Sequence, residues 1–404
     1  MQTHLADFIR DSDTGREAER ILRSCTHCGF CLATCPTYQE LGDELDSPRG
    51  RIYLVKQVLE GAEPGEVTQR HLDRCLSCRA CESTCPSGVQ YARLADIGRE
   101  LIEGRVPRRR DRLLRWFLCR VAVRRHLFAG LLTLARMARP LVPARLRHGL
   151  PPVAPRTRWP DPPASSQERV VLLEGCVQPA MTPATHPETA RLLGEAGIET
   201  VRVPAAGCCG ALAQHLGHAE QARRQARQNI DAWWPQIEAG AAAVVANASG
   251  CALQLADYGR LLTNDPAYAE KARKISKITR DPVELLEADA ARVKAREGFP
   301  RRIAFHAPCT LRHGRGLHGR IETLLHRAGF ELTPVGEPHS CCGSAGSYSL
   351  LQPELADRLR RRKLDNIEPA GPELIATANV GCQTHLGAAS QVPVRHWVEL
   401  VKIC

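Results

Sequence analysis

The 404 residues contain no run of about 18 apolar side chains, the length a helix needs to cross a bilayer. A membrane-spanning helix is therefore excluded, and any membrane contact has to be made from the surface. The opening residues, Met1 to Arg10, lack the apolar centre of a secretory leader. Nucleotide-binding context is missing too: no G-x-G-x-x-G stands directly after a strand-like run, and there is no G-x4-G-K-[ST]. No flavin or dinucleotide site is thus expected on this chain. Aromatic residues make up 4% of the sequence, and with no recognised binding motif the net charge of +11 does not point to nucleic acid. Cysteine, by contrast, is abundant, with 18 residues. In a chain of this length without a leader, the thiols are expected to be metal ligands in a reducing cytoplasm rather than disulfides.

Eight of them follow one rule. The sequence reads C-x2-C-x2-C-x3-C-P from Cys25 to Pro36 and again from Cys75 to Pro86, with every ligand position 50 residues from its counterpart. Such a run holds a [4Fe-4S] cluster, and in two-cluster ferredoxins its fourth cysteine ligates the other cluster. The expected sets are Cys25, Cys28, Cys31 and Cys85 for the first cluster, and Cys75, Cys78, Cys81 and Cys35 for the second. Structural zinc sites fit poorly, because they show separated C-x2-C pairs rather than four cysteines within eleven residues.

Around these runs the pattern is helical. Residues 15–24 and 90–103 read as helices, and Ser47-Pro48 supplies an N-cap and first-turn proline for a helix through Ile52, Leu54, Val55 and Val58 to Gly61. An all-helical two-cluster ferredoxin domain is expected over residues 1–104. From Arg105 to His148 there are thirteen arginines against one acid, Asp111, so this segment carries +12 and the remainder is nearly neutral. Leu113, Leu114, Phe117, Leu118 and Val121, then Leu127, Phe128, Leu131, Leu132 and Ala135, recur at helical spacing opposite arginines. Two basic amphipathic helices are expected over 105–148, packed on the protein or lying on an anionic membrane surface. Residues 149–168 are proline-rich and read as a semi-rigid linker.

The remainder is a duplication, with copies over 169–290 and 301–404. The first has Gly175-Cys176, Gly207-Cys208-Cys209-Gly210 and Gly250-Cys251; the second has Pro308-Cys309, Ser340-Cys341-Cys342-Gly343 and Gly381-Cys382. In both copies the first two cysteine positions are 32 apart, and both end in Val-Glu-Leu, at 283–285 and 398–400. Apolar runs at Val170–Leu173, Val201–Val203, Val244–Ala246 and Ile303–Phe305 precede these cysteines, with helical stretches such as 188–195 and 220–230 between. Strand and helix in alternation predict α/β domains with parallel sheets, so the fold class is α followed by α/β. Ligands of such sheets gather at the carboxyl ends of the strands, where Cys176, Cys208, Cys209, Cys251 and Cys309, Cys341, Cys342, Cys382 fall. A further redox centre in at least one copy is expected there. The second is favoured because His339, Ser340 and His385 stand near its cysteines. Gly210 and Gly343 are expected to let the backbone approach a bulky cluster.

Together these motifs resemble the cysteine-rich redox subunits of heterodisulfide reductase, anaerobic glycerol-3-phosphate dehydrogenase and lactate-oxidising systems. The closer resemblance is to the iron-sulfur subunits of bacterial glycolate oxidase. It is carried by G-D-E-L-D-S-P-R-G-R-I-Y-L-V-K-Q-V-L-E-G at 42–61, N-I-D-A-W-W-P-Q-I-E-A-G at 229–240, H-S-C-C-G-S-A-G at 339–346 and G-C-Q-T-H at 381–385. It implies an electron-transfer subunit, inactive alone, that works with flavin-bearing partners and passes electrons from glycolate toward quinone. It also implies a cytoplasmic place at the periphery of the inner membrane. The alternatives are a lactate or glycerol-3-phosphate dehydrogenase subunit, a catalytic reductase of the heterodisulfide type, or a zinc-stabilised adaptor. The broader pattern closes each copy with C-x2-C, whereas Gln254 and His385 stand at those positions here. That departure weakens the case for a five-thiolate cluster and makes His385 a candidate extra ligand or a plain hydrogen-bonding residue.

Overall fold

A computed structural model describes residues 1–108, 111–139, 157–163, 165–166 and 168–404. Residues 149–156, 164 and 167 of the expected linker, and residues 109, 110 and 140–148 of the expected basic segment, lie outside them.

The first hundred residues are helical, with no strand among the described residues. Asp13–Ser24, Pro48–Leu59, Glu66–Asp73 and Tyr91–Ile102 are the main helices. Ser47 caps the second of them, its hydroxyl accepting from the Gly50 amide at 3.0 Å, and Pro48 takes the first turn, where its missing N–H costs nothing. The apolar residues at i, i+3 and i+4 bury one stripe of each helix. Ile21, Leu22, Ile52, Val55, Val58, Leu59, Leu72, Leu94, Ile97 and Ile102 form the shared core, each contributing about 1.5–3 kcal/mol by burial. The cysteine loops hang from the ends of these helices.

The second half holds two four-stranded parallel sheets of the same topology. Strands β1 (Glu168–Leu172), β2 (Ile198–Arg202), β3 (Ala243–Val245) and β4 (Thr279–Arg280) lie in the order β2-β1-β3-β4. Strands β6 (Arg302–His306), β7 (Glu331–Leu332), β8 (Leu374–Thr377) and β9 (Val394–His396) lie in the order β7-β6-β8-β9. Every pairing within them is parallel, so each connection is a crossover carrying helices such as Ala219–Glu238 and Pro353–Asp365. Residues 291–300, left between the two expected copies, contain β5 (Val293–Ala295), which pairs antiparallel with the terminal strand β10 (Val401–Ile403). The copies meet along a polar seam near their fourth cysteines, Cys251 and Cys382. The Ser249 amide donates to the Ala378 carbonyl at 3.1 Å, and Asn379 Nδ2 donates to the Ser249 hydroxyl at 3.2 Å.

The basic segment forms helices over Arg112–Phe117 and Arg125–Met137, joined by a wider turn at Leu118–Ala122. Leu114, Phe117, Leu118 and Phe128 pack against Leu212, Leu216 and Leu351. Leu113, expected on that face, points away and is 83% exposed. Arg108 and Arg115 are not free surface cations, since both reach Asp73, at 2.6 and 2.9 Å.

Candidate metal centres

Each C-x2-C-x2-C loop turns through the left-handed region on either side of its second cysteine. His27 and Gly29 have φ of 56° and 89°, and Ser77 and Arg79 have 53° and 60°. Side chains other than glycine pay on the order of 1–3 kcal/mol each for such conformations, which persist where the surroundings enforce them. The consequence is that the three thiols of each loop face one space. Cys25, Cys28, Cys31 and Cys85 line one small cavity, and Cys35, Cys75, Cys78 and Cys81 line another. The fourth cysteine of each run thus lines the cavity of the other run, and Cys81 and Tyr91 border both. Four thiols around an enclosed space are the donor set a [4Fe-4S] cluster requires. Burial pushes Cys31 up to about 11 and raises Cys25, so their thiolates form readily only against a bound cation.

The surroundings of the two cavities differ. Cys28 is exposed and Phe30 beside it is 62% exposed, so the first cavity has an edge open to solvent. The second is flanked by cations. Arg51 is buried, with Nη2 3.1 Å from Asp46 Oδ1, Nη1 3.0 Å from the Thr37 hydroxyl and the same nitrogen 4.0 Å from Cys35 Sγ. Arg99 donates to the Ser77 hydroxyl and the Cys75 carbonyl, both at 2.8 Å. Burial pushes the Cys75 thiol up, but Arg51 and Arg99 together outweigh it and hold it below the ordinary range. Nothing in the spacing rule signals this pair of arginines; their signal is a basic residue on the buried face of an otherwise apolar helix.

In the second cysteine-rich copy the thiols converge. Cys309 Sγ is 3.9 Å from Cys341 Sγ, and Cys342 Sγ is 3.3 Å from Cys382 Sγ. Cys341 and then burial push the Cys309 thiol well up, and Lys363, nearly fully buried, faces Cys341 and Cys342. In the first copy Cys176 neighbours Cys208, Cys208 neighbours Cys209, and Cys209 neighbours Cys251. That group packs among Val171, Trp233 and Tyr258. The second group instead abuts the ferredoxin-type loops: Leu76 is packed with Cys341 and Tyr348, with Cys78 and Cys309 at the margin of the same cluster. Tyr348 Oη donates to the Arg74 carbonyl at 3.2 Å across this junction.

Two expectations change. His385 Nε2 donates to the Ala356 carbonyl, 3.3 Å away, and is not in the group around Cys342 and Cys382. The histidine that is there is His306, which the sequence reading passed over. Burial and then Lys363 push its imidazole down to about 3. Gly343 has φ of 88°, and a Cβ there would stand 2.6 Å from the Ala356 carbonyl oxygen; Gly210, with φ of 94°, faces the Ala222 carbonyl at 3.3 Å. A left-handed turn and a neighbouring helix are enough to require glycine at both positions.

The likenesses to known proteins agree with these sites. Residues 21–89 match the 4Fe-4S dicluster domain, and residues 170–256 and 303–387 each match the cysteine-rich domain. The glycolate oxidase iron-sulfur subunit of Escherichia coli (strain K12) is 50% identical over 403 residues, covering 100% of this chain and 98% of that protein. The probable glycolate oxidase iron-sulfur subunit of Bacillus subtilis (strain 168) is 34% identical over 407 residues, covering 93% and 90%. Lactate utilization protein A of Exiguobacterium sp. is 26% identical over 223 residues, 54% of this chain and 88% of that protein. The fold and sites define an iron-sulfur electron-transfer protein with two ferredoxin-type clusters and a duplicated cysteine-rich domain. Within that class, the chain belongs to the glycolate oxidase iron-sulfur subunit family.

Proposed function

We propose that this chain is the electron relay of a glycolate dehydrogenase complex, taking electrons singly from a flavin-bearing partner subunit and delivering them toward quinone at the cytoplasmic face of the inner membrane. The observation that carries the reading is the row of three thiol groups. Cys25, Cys28, Cys31 and Cys85 open at the surface, Cys35, Cys75, Cys78 and Cys81 lie behind them, and Cys309, Cys341, Cys342 and Cys382 abut the second group. An iron-sulfur cluster supplies a one-electron carrier whose potential its surroundings set within about −700 to +450 mV. The residues of this chain do the rest. Cys28 and Phe30 leave an accessible edge where a partner's flavin can approach. Arg51 and Arg99 place positive charge beside the middle thiols and exclude water from them. Leu76 and Tyr348 close the junction to the second cysteine-rich copy.

Hydride removal from the 2-hydroxy acid is assigned to the partner. The assay is made on the complex purified with its co-expressed neighbours, with glycolate, lactate and glycerol 3-phosphate as substrates and a quinone analogue as acceptor. Turnover of glycolate that requires both the flavoprotein and this chain is expected. Turnover by this chain without any flavoprotein, or of lactate in preference to glycolate, contradicts the reading.

Attachment to the membrane is proposed through the basic helices. No helix among the described residues is long and apolar enough to cross a membrane. Yet Leu113, Trp116, Leu127, Leu131, Leu134 and Met137 are all exposed on helices whose other side is packed, with Arg112, Arg120, Arg124 and Arg139 exposed among them. An apolar stripe with arginine at its flanks suits an anionic interface, each cation adding about 1 kcal/mol near the surface and less beyond a Debye length. The protein is expected to sediment with anionic phospholipid vesicles at low salt and to be released by high salt. Changing Leu113, Trp116 and Leu134 together to glutamate should abolish sedimentation while preserving the folded state. Equal sedimentation of that variant and the parent would assign the stripe to another partner.

A further inference from the structure

His306 ends β6, three residues before Cys309, and is 2% exposed. Its Nε2 is buried and has no hydrogen-bond partner among the described residues. Leaving such an atom unsatisfied costs about 1–3 kcal/mol, so a buried imidazole in this state needs a partner that is not a protein group. The available direction is toward the thiols. A ring nitrogen of His306 and the Sγ atoms of Cys342 and Cys382 all lie within 4.8 Å of one another. Two ligands of one tetrahedral metal, at about 2.3 Å for sulfur and about 2.1 Å for nitrogen, stand about 3.6 Å apart. The group therefore needs only a small closure to share one ion, and none to bind adjacent irons of a cluster. The His306 backbone is fixed, since the Thr377 hydroxyl donates to its carbonyl at 3.0 Å and β6 pairs His306 with Thr377.

The first copy lacks this feature. At the same offset before Cys176 stands Leu173, buried in the core with Val171 and Trp233. The duplicated domains thus offer different donor sets at equivalent places: thiols alone in the first, thiols and an imidazole in the second.

We propose that His306 is a direct iron ligand of the second cysteine-rich copy, completing a mixed sulfur and nitrogen donor set with Cys342 and Cys382. The proposal rests on the reading that this copy holds a metal centre. Imidazole in place of thiolate leaves less negative charge on the iron and raises its potential, as where two histidines replace two cysteines on one iron of a [2Fe-2S] centre. His306 thereby makes the second copy the more oxidising of the two and the place where electrons finish their passage through the chain.

The test is pulsed EPR on the anaerobically prepared full-length protein grown with 15N-histidine, with iron content measured in parallel. A directly coordinated 15N coupling is expected on one centre of the parent. It should disappear in His306→Leu, which copies the first domain, and in His306→Cys, which keeps a ligand and so keeps the iron while lowering the potential of that centre. Full iron content with no histidine coupling in the parent, or a coupling that survives in His306→Cys, overturns the ligand assignment and leaves the metal centre standing. Iron content equal in the parent and in a Cys342→Ser, Cys382→Ser double variant overturns the underlying reading instead, and the ligand assignment with it.

Discussion

Replacing Cys85 with alanine is expected to cost the cluster held by Cys25, Cys28 and Cys31, although Cys85 belongs in sequence to the other run. The iron bound by the ferredoxin-type domain should fall from about eight atoms to about four. The basis is the lining of the two cavities, in which Cys85 shares a space with Cys25, Cys28 and Cys31, and Cys35 shares one with Cys75, Cys78 and Cys81. EPR of the reduced protein distinguishes the two centres through single-loop variants. The signal missing in Cys85→Ala should be the one missing in Cys28→Ala, and the signal missing in Cys35→Ala the one missing in Cys78→Ala. The opposite match would mean that each run ligates its own cluster and that the cavities do not report the ligand sets.

The second large effect is expected from Cys342→Ser in the assembled complex. Cys342 Sγ lies 3.3 Å from Cys382 Sγ and within the group that includes His306. A serine oxygen is a harder and shorter donor than the thiolate it replaces and is a poor ligand for an iron-sulfur centre. On the proposed route, electron delivery to quinone should drop to background, while substrate still reduces the partner's flavin at the parental rate in a stopped-flow experiment. The matching change in the first copy, Cys209→Ser, should have a smaller effect, because that thiol packs with Trp233 and Tyr258 rather than with the ferredoxin-type loops. Parental quinone reduction by Cys342→Ser would make both cysteine-rich copies scaffolds and end the relay at Cys35, Cys75, Cys78 and Cys81.

The parts of this site that were legible in sequence are those governed by local spacing. Two matched cysteine runs, an N-cap serine before a proline, and apolar runs ending at cysteine each follow from backbone geometry over a few residues. They predict the Pro48–Leu59 helix, which forms, and two sets of four cysteines, which line two separate cavities. What sequence did not give is contact between distant segments. The packing of Leu76 and Cys78 on Cys309 and Cys341 joins residues more than two hundred positions apart, and no periodicity encodes it. Gly343 was read as room for a cluster because glycine adjoins cysteine; the structure puts the Ala356 carbonyl there instead. The pairing of Arg108 and Arg115 with Asp73 likewise reduces the free charge that a count of arginines suggests. His306 was visible in principle. Setting the two copies in register places a histidine in I-A-F-H where the first copy has leucine in V-L-L, and a polar residue at a buried strand position calls for a partner.

The central claim is that these cysteines hold iron-sulfur clusters and carry electrons, and it is tested most directly by metal analysis joined to EPR. Protein prepared without oxygen should contain at least about eight irons per chain with matching labile sulfide and little zinc, four irons for each ferredoxin-type cluster. On reduction it should show the signals of two neighbouring paramagnets, in keeping with cavities that share Cys81 and Tyr91 at their border. Stoichiometric zinc, with no iron-sulfur signal after reduction, would contradict the account.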